Sequence, residues 1–144
     1  MRGAGGLFWY GNQCTANYFN TLVQGRVSVV IGRNSLFSWG IDIRTYDSHA
    51  IIDLQSKTQI NKAKNVVLEP HVWIAQDVTI MPGVTIGQGA IVGAGSIVTK
   101  SVPPRSLAAG SPARVIREQV TWSREAFPND QQINTAVFDG GAAS

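Results

Sequence analysis

From Leu68 the chain repeats every six residues without a gap, as "LEPHVW IAQDVT IMPGVT IGQGAI VGAGSI VTKSVP". The first position of each block is aliphatic (Leu68, Ile74, Ile80, Ile86, Val92, Val98), and the fifth is small or β-branched (Val72, Val78, Val84, Ala90, Ser96, Val102). A unit with one inward aliphatic, one smaller inward residue and a polar or glycine pair suits a short strand followed by a tight corner. Three such units close a triangular coil. Successive coils stack at the ~4.8 Å spacing of neighbouring strands, so that aliphatic ladders run along the axis and each coil covers its neighbour's open edge. The predicted fold is therefore all-β, a parallel β-helix.

The same pattern occurs earlier in another phase, "IGRNSL FSWGID IRTYDS", led by Ile31, Phe37 and Ile43. Continuing that phase requires an aliphatic residue at position 49, where His49 stands. The period returns at Leu68, nineteen residues later. Residues 49–67 are rich in Gln, Ser, Lys and Asn and read as a loop protruding from the stack, and a long loop on a rigid repeat is a common carrier of function. Before Ile31 the match is faint, and residues 1–30 read as an irregular start in which Phe19 and Val23 form an imperfect first rung. After Val98 the prolines at 103 and 104, then Gly110 and Pro112, loosen the period into a last irregular coil. The β-helix domain thus spans 1–118, and 119–144 form a C-terminal helix or arm. The predicted helix covers "REQVTWSREAF", and "PNDQQINTAVFDGGAAS" is left as an arm without a clear period.

Composition narrows the function. The net charge is +3, but the basic residues are scattered, with no aromatic interleaving and no helix-turn-helix pattern, which argues against nucleic acid. No run approaches the ~18 apolar residues of a membrane span, and the amino terminus does not have the pattern of a secretory signal. The single cysteine, Cys14, makes no internal disulfide, in keeping with a reducing cytoplasm.

Residues eighteen apart should stack along the axis. Gln76, Ala94 and Pro112 then form one row, flanked by Ala75, Gly93 and Ser111, while Met81, Thr99 and Arg117 form another. Small side chains in the first row leave an axial groove wide enough for an extended ligand arm, although corner geometry alone also accounts for them.

The segments "DSHAI" and "HVWIAQDVTIMPGVTIGQGAIVGAGSIVTKSVPPRSLAAGSPARVIRE" resemble the hexapeptide-repeat acyltransferases, and most of all the sugar O-acetyltransferases of the maltose and galactoside type. The resemblance covers roughly residues 31–118. It implies a left-handed β-helix, a homotrimer, and transfer of acetyl from acetyl-CoA to a hydroxyl of a saccharide-like acceptor without an acyl-enzyme. It also implies that His49 is the catalytic base, since imidazole titrates near neutral pH and can take the hydroxyl proton. Asp47, two residues earlier, is a candidate to orient the ring or bind the acceptor. A backbone carbonyl would orient the ring equally well, and an aspartate at a turn is a common structural element. The positions matching Gln76, Ala94, Thr99, Lys100, Arg114 and Arg117 contact the coenzyme in the family. Ala75 and Gly93 flank that row, and cations among these residues suit the phosphates. Trp73 belongs to a matching "VWI" and is assigned either to the coenzyme site or to packing at the subunit seam. Trp39 is a candidate for stacking on a sugar ring or for ordinary packing. His71 is expected to be a solvated corner residue.

The amino-terminal helical segment of the maltose and galactoside enzymes has no counterpart in residues 1–30, so the acceptor contacts usually found there are not assigned. Two rivals share the scaffold. A metal-dependent hydratase needs three histidine ligands, and only two histidines are present, so no metal is expected. The other is a noncatalytic or degenerate β-helix trimer that binds CoA or a partner without turnover.

Overall fold

A computed structural model describes residues 6–142. Residues 1–5 of the expected irregular start and 143–144 of the expected arm lie outside it. The chain winds as successive three-sided coils. The first comprises β1 (Leu7–Tyr10), β2 (Thr15–Ala16) and β3 (Phe19–Leu22), and the second β4 (Ser28–Ile31), β5 (Leu36–Phe37) and β6 (Ile41–Arg44). A separate antiparallel hairpin follows, β7 (Ile52–Asp53) with β8 (Thr58–Gln59). The third coil is β9 (Val66–Leu68), β10 (Trp73–Ile74) and β11 (Thr79–Ile80), and the fourth β12 (Thr85–Ile86), β13 (Ile91–Val92) and β14 (Ile97–Val98). Then come β15 (Ser106–Gly110), β16 (Ala113–Glu118) and the helix α1 (Asp130–Asp139). Strands of like position pair in parallel into three faces: β1-β4-β9-β12, β15-β13-β10-β5-β2 and β14-β11-β6-β3.

The period read from the sequence is the core. The leading aliphatics from Ile31 to Val98 and the fifth-position residues from Val72 to Val102 are all buried. Each fully buried aliphatic side chain of this kind contributes about 1.5–3 kcal/mol relative to exposure. The registers Trp73↔Ile91 and Thr79↔Ile97 set the coil at eighteen residues. The loop insertion is also visible in the register: Ile43 pairs with Ile80, one coil plus nineteen residues.

Four expectations are corrected. Residues 7–22 are a paired coil rather than an irregular start, but their offset is longer, Thr15 facing Leu36 and Phe19 facing Ile41. Their inward side chains (Tyr10, Cys14, Ala16, Phe19, Val23) are mostly not aliphatic, which hides the period, and aromatic contacts such as Phe19 against Phe37 at 5.4 Å replace the aliphatic ladder. The loop rejoins the stack at Val66, two residues before Leu68, because Val66 and Val67 already pair with β4. The last coil is shortened: Ile86 bridges Val102 and Ile91 faces Leu107, while Ile80 still faces Val98, so the coil loses its residues between Val98 and Val102, ahead of the paired prolines. Finally, β16 does not continue the winding. It folds back antiparallel on β15, with Ala109 facing Arg114 and Leu107 facing Arg117.

The helix is also displaced. "REQVTWSREAF" is strand up to Glu118 and irregular afterwards, and α1 lies in the segment left as an arm. Asn129 caps it: its side chain accepts from the Gln132 amide while the Gln132 side chain accepts from the Asn129 amide. This reciprocal capping box satisfies two amides that a helix start leaves free.

Between the first and second faces, one column of corner residues (Gln13, Asn34, His71, Gly89, Arg105) adopts positive φ, and each of the last four donates its amide to the coil before it. Asn and His tolerate this conformation better than most residues. The C-terminal segment runs along this column rather than over the end of the stack. Thr121 bonds the Gly89 carbonyl, Arg124 bonds Asn34 and the Gln13 carbonyl, and Gln88 donates to the Asp139 carbonyl. Gly89 admits this close approach, since a Cβ there would lie 2.8 Å from the Gly140 backbone.

His71 is therefore not the solvated residue expected. It is 3% exposed, and its ring stacks on Trp122 at 4.2 Å. Nδ1 accepts from the Asn34 amide at 3.0 Å and Nε2 donates to the Trp122 carbonyl at 2.9 Å. Burial pushes its pKa below the ordinary imidazole value, against the hydrogen bond it donates to the Trp122 carbonyl and the charge of Asp139. No helix among the described residues is long and apolar enough to cross a membrane.

Candidate functional site

His49 sits where the chain leaves β6. Its amide donates to the Asp47 carbonyl at 2.8 Å across Ser48, whose φ is +66°. This is a γ-turn of the rare, strained kind, a conformation that costs about 1–3 kcal/mol and persists only where the surroundings hold it. The turn brings the His49 side chain out of the ladder to an exposed position, where its ring has no hydrogen-bond partner among the described residues. A cavity of about 350 Å³ opens there, lined by Gln24, Tyr46, Asp47, Ser48, His49 and Asn61, among others. An imidazole with a free nitrogen at the edge of such a cavity is able to take a proton from a bound hydroxyl.

Asp47 shares the cavity, but its carboxylate does not hydrogen-bond the imidazole. Oδ2 accepts from Asn61 Nδ2 at 3.0 Å, and the same Nδ2 donates to the His49 carbonyl at 2.8 Å. Asn61 was not singled out from the sequence. It lies in the polar loop twelve residues beyond His49, and only the hairpin fold returns it to the turn. At the loop's base the Lys64 amide donates to the Thr45 carbonyl at 2.9 Å.

The coenzyme candidates form a separate set. Ala75 and Gly93 stack as expected, with their amides donating to Val92 and Ala108. The shortened last coil changes the next member of that row: Ala109, not Ser111, lies above Gly93, with its Cβ 3.0 Å from where a Gly93 Cβ would stand. Likewise Pro112 does not follow Gln76 and Ala94, which are exposed at their corner. Thr99 and Lys100 are exposed after β14. Arg117 does not stack on Met81 and Thr99, because the reversal of β16 carries it to the second face beside Leu107; Arg114 lies on the same strand and both are exposed. Trp73 is half-buried on β10, 6.2 Å from the Trp122 ring. None of these residues lines the His49 cavity within one chain. Trp39 is exposed at a corner and does not line the cavity either. Cys14 donates to the Gly32 carbonyl at 3.1 Å inside the first coil, a packing role. Among the described residues no cluster of three or more His, Cys, Asp or Glu side chains is placed to hold a metal.

Comparison with known proteins agrees with this architecture. Residues 65–100 match the family described as bacterial transferase hexapeptide (six repeats). A polysialic acid O-acetyltransferase of Escherichia coli O1:K1 / APEC is 42% identical over 114 residues, which are 79% of this chain and 37% of that relative. The crystal structure of a polySia-specific acetyltransferase superposes with a TM-score of 0.75 at 30% identity, covering 90% of this chain and 62% of that one. A galactoside acetyltransferase in complex with coenzyme A gives a TM-score of 0.56 at 27% identity, covering 78% of this chain and 64% of that one. The chain thus spans little more than a third of the curated relative's length. The repeat, the parallel coils and these relatives together make the chain similar, over most of its length, to the hexapeptide-repeat acyltransferases and among them to the sugar O-acetyltransferases.

Proposed function

We propose that the chain transfers an acetyl group from acetyl-CoA to a hydroxyl of a saccharide, with His49 as general base. The observation that carries this reading is the His49 ring, turned out of the core ladder by the Ser48 γ-turn into a 350 Å³ cavity on a coil stack of acetyltransferase type. In the reaction the imidazole takes the proton of the acceptor hydroxyl as its oxygen attacks the thioester carbonyl. The tetrahedral intermediate then expels the CoA thiolate, which receives that proton from the imidazolium, leaving an acetyl ester and free CoA. Such a base supplies roughly 10²–10⁴ in rate, and alignment of donor and acceptor supplies much of the rest.

The coils are read as left-handed, as the relatives imply. The pantetheine arm lies along the Ala75–Gly93–Ala109 row, beside Gln76, Ala94 and Trp73, and the phosphates meet Lys100, Arg114 and Arg117, with Thr99 adjacent. Because no residue of this set lines the His49 cavity in one chain, donor and acceptor meet across a subunit boundary, which a homotrimer provides. Asp47 orients the turn or contacts the acceptor. A cytoplasmic location fits the unpaired Cys14.

Thiol release from acetyl-CoA across a panel of sugars and amino sugars tests the activity. His49→Ala is expected to lower kcat by at least ~10² while leaving coenzyme binding near that of the parent. Unaltered turnover in this variant would remove His49 from the mechanism. Coenzyme binding with no turnover on any acceptor would favour the noncatalytic alternative.

A further inference from the structure

We infer that Asn61 is the positioning residue of the site, holding His49 in its working orientation through the Asp47 carboxylate and the His49 backbone. The inference rests on the reading of His49 as the base. An amide side chain has two N–H donors and two acceptor positions, and all four are used here, three of them on the turn that presents His49. Nδ2 donates to Asp47 Oδ2 at 3.0 Å and to the His49 carbonyl at 2.8 Å. Oδ1 accepts from the Ile51 amide at 2.7 Å and from Gln59 Nε2 at 3.3 Å.

The orientation of the amide is determined by these partners. Turning it over would set its NH2 against the Ile51 N–H and its oxygen against a carbonyl and a carboxylate. One side chain therefore clamps the residue two before His49, His49 itself and the residue two after it. The clamp bears on the one place where it is most needed. Ser48 occupies a conformation that would relax without outside support, and relaxation there would swing the Cα–Cβ direction of His49. The role is also separable from folding of the stack, since Asn61 is not part of the core and the hairpin pairs with none of the three long faces.

The test uses the full chain with acetyl-CoA and an accepting sugar, reading kcat, KM for acetyl-CoA and melting temperature. Asn61→Ala is expected to lower kcat at least tenfold, with KM for acetyl-CoA and the melting temperature close to the parent's. A residue that merely braced the loop would leave kcat in place. Asn61→Asp keeps the shape and the acceptor toward Ile51, but sets a carboxylate against Asp47, and is expected to lose as much at pH 8. Combining it with Asp47→Asn restores a donor–acceptor pair with the roles exchanged and is expected to recover several-fold of kcat over Asn61→Asp alone. If both single variants keep kcat within twofold while His49→Ala is inactive, Asn61 has no positioning role and the base assignment stands. Failure of the exchanged pair to recover activity would likewise count against the clamp through Asp47. If His49→Ala is active, the base assignment falls and the role of Asn61 falls with it.

Discussion

The two histidines occupy opposite chemical settings, one at the edge of an open cavity and the other sealed beneath an indole ring. His49 is exposed at the cavity, and it stands out in the sequence because it occupies a position where a strict ladder requires an aliphatic side chain. His71 is buried under Trp122, 51 residues away, and bonded to Asn34, 37 residues away. No local pattern carries such contacts, so only its corner position was legible. Its pKa is lowered by burial, which has a defined consequence for stability. Between the folded pKa and the ordinary value of 6.5, the unfolded chain binds a proton that the folded chain refuses. Stability is therefore complete above pH 6.5 and is lost as pH falls through the window below it. A lower melting temperature at pH 5 than at pH 8 is expected, and a flatter profile in His71→Asn, where Asn still tolerates the positive φ. An unchanged profile in that variant would show that His71 is not the group responsible; the only other histidine, His49, is exposed. Asn61 illustrates the same limit within the site: it is one polar residue among many in its loop until the hairpin folds.

At the level of elements, the corners carry as much information as the strands. Gly32 and Gly87 mark the turns out of β4 and β12, where the next coil passes so close that an added Cβ would lie 2.4 Å from Pro70 N and 2.3 Å from Pro104 N. Backbone, not a flexible side chain, stands in the way, so the coils would have to separate. Gly87→Ala is expected to cost about 1–3 kcal/mol, the usual range for overpacking, read as a lower urea midpoint without a change of slope. The rungs from Ile31 to Ser48 and from Leu68 to Val98 were legible because each face repeats one aliphatic slot. The first coil was not, since aromatic side chains and a longer spacing replace that slot, and neither was the shortened last coil, which displaced the expected row from Ser111 to Ala109. The capping box of α1 was present in the sequence as Asn129 with Gln132, but a helix with a weak apolar face gives no period to find.

For the whole molecule, the separation of the proposed coenzyme row from the His49 cavity and the apolar character of the hairpin point the same way. Ile51, Ile52, Leu54 and Ile60 are 54%, 51%, 90% and 60% exposed, a concentration of apolar surface that water does not favour. The proposed trimer predicts a solution mass three times that of the 15.5 kDa chain, measured by light scattering, and a shift toward the single chain when Leu54 and Ile52 are both changed to Asp. A monomeric parent would leave the donor and acceptor sites unjoined. The reversal of β16 has a further effect at this scale. Parallel rungs are an open-ended template, able in principle to accept another rung at every step. A strand laid in the opposite sense on the second face offers a newcomer running the common way only an antiparallel ladder, so the parallel winding is not continued across it. The regular advance of ~4.8 Å per rung stops at that strand on this side of the molecule.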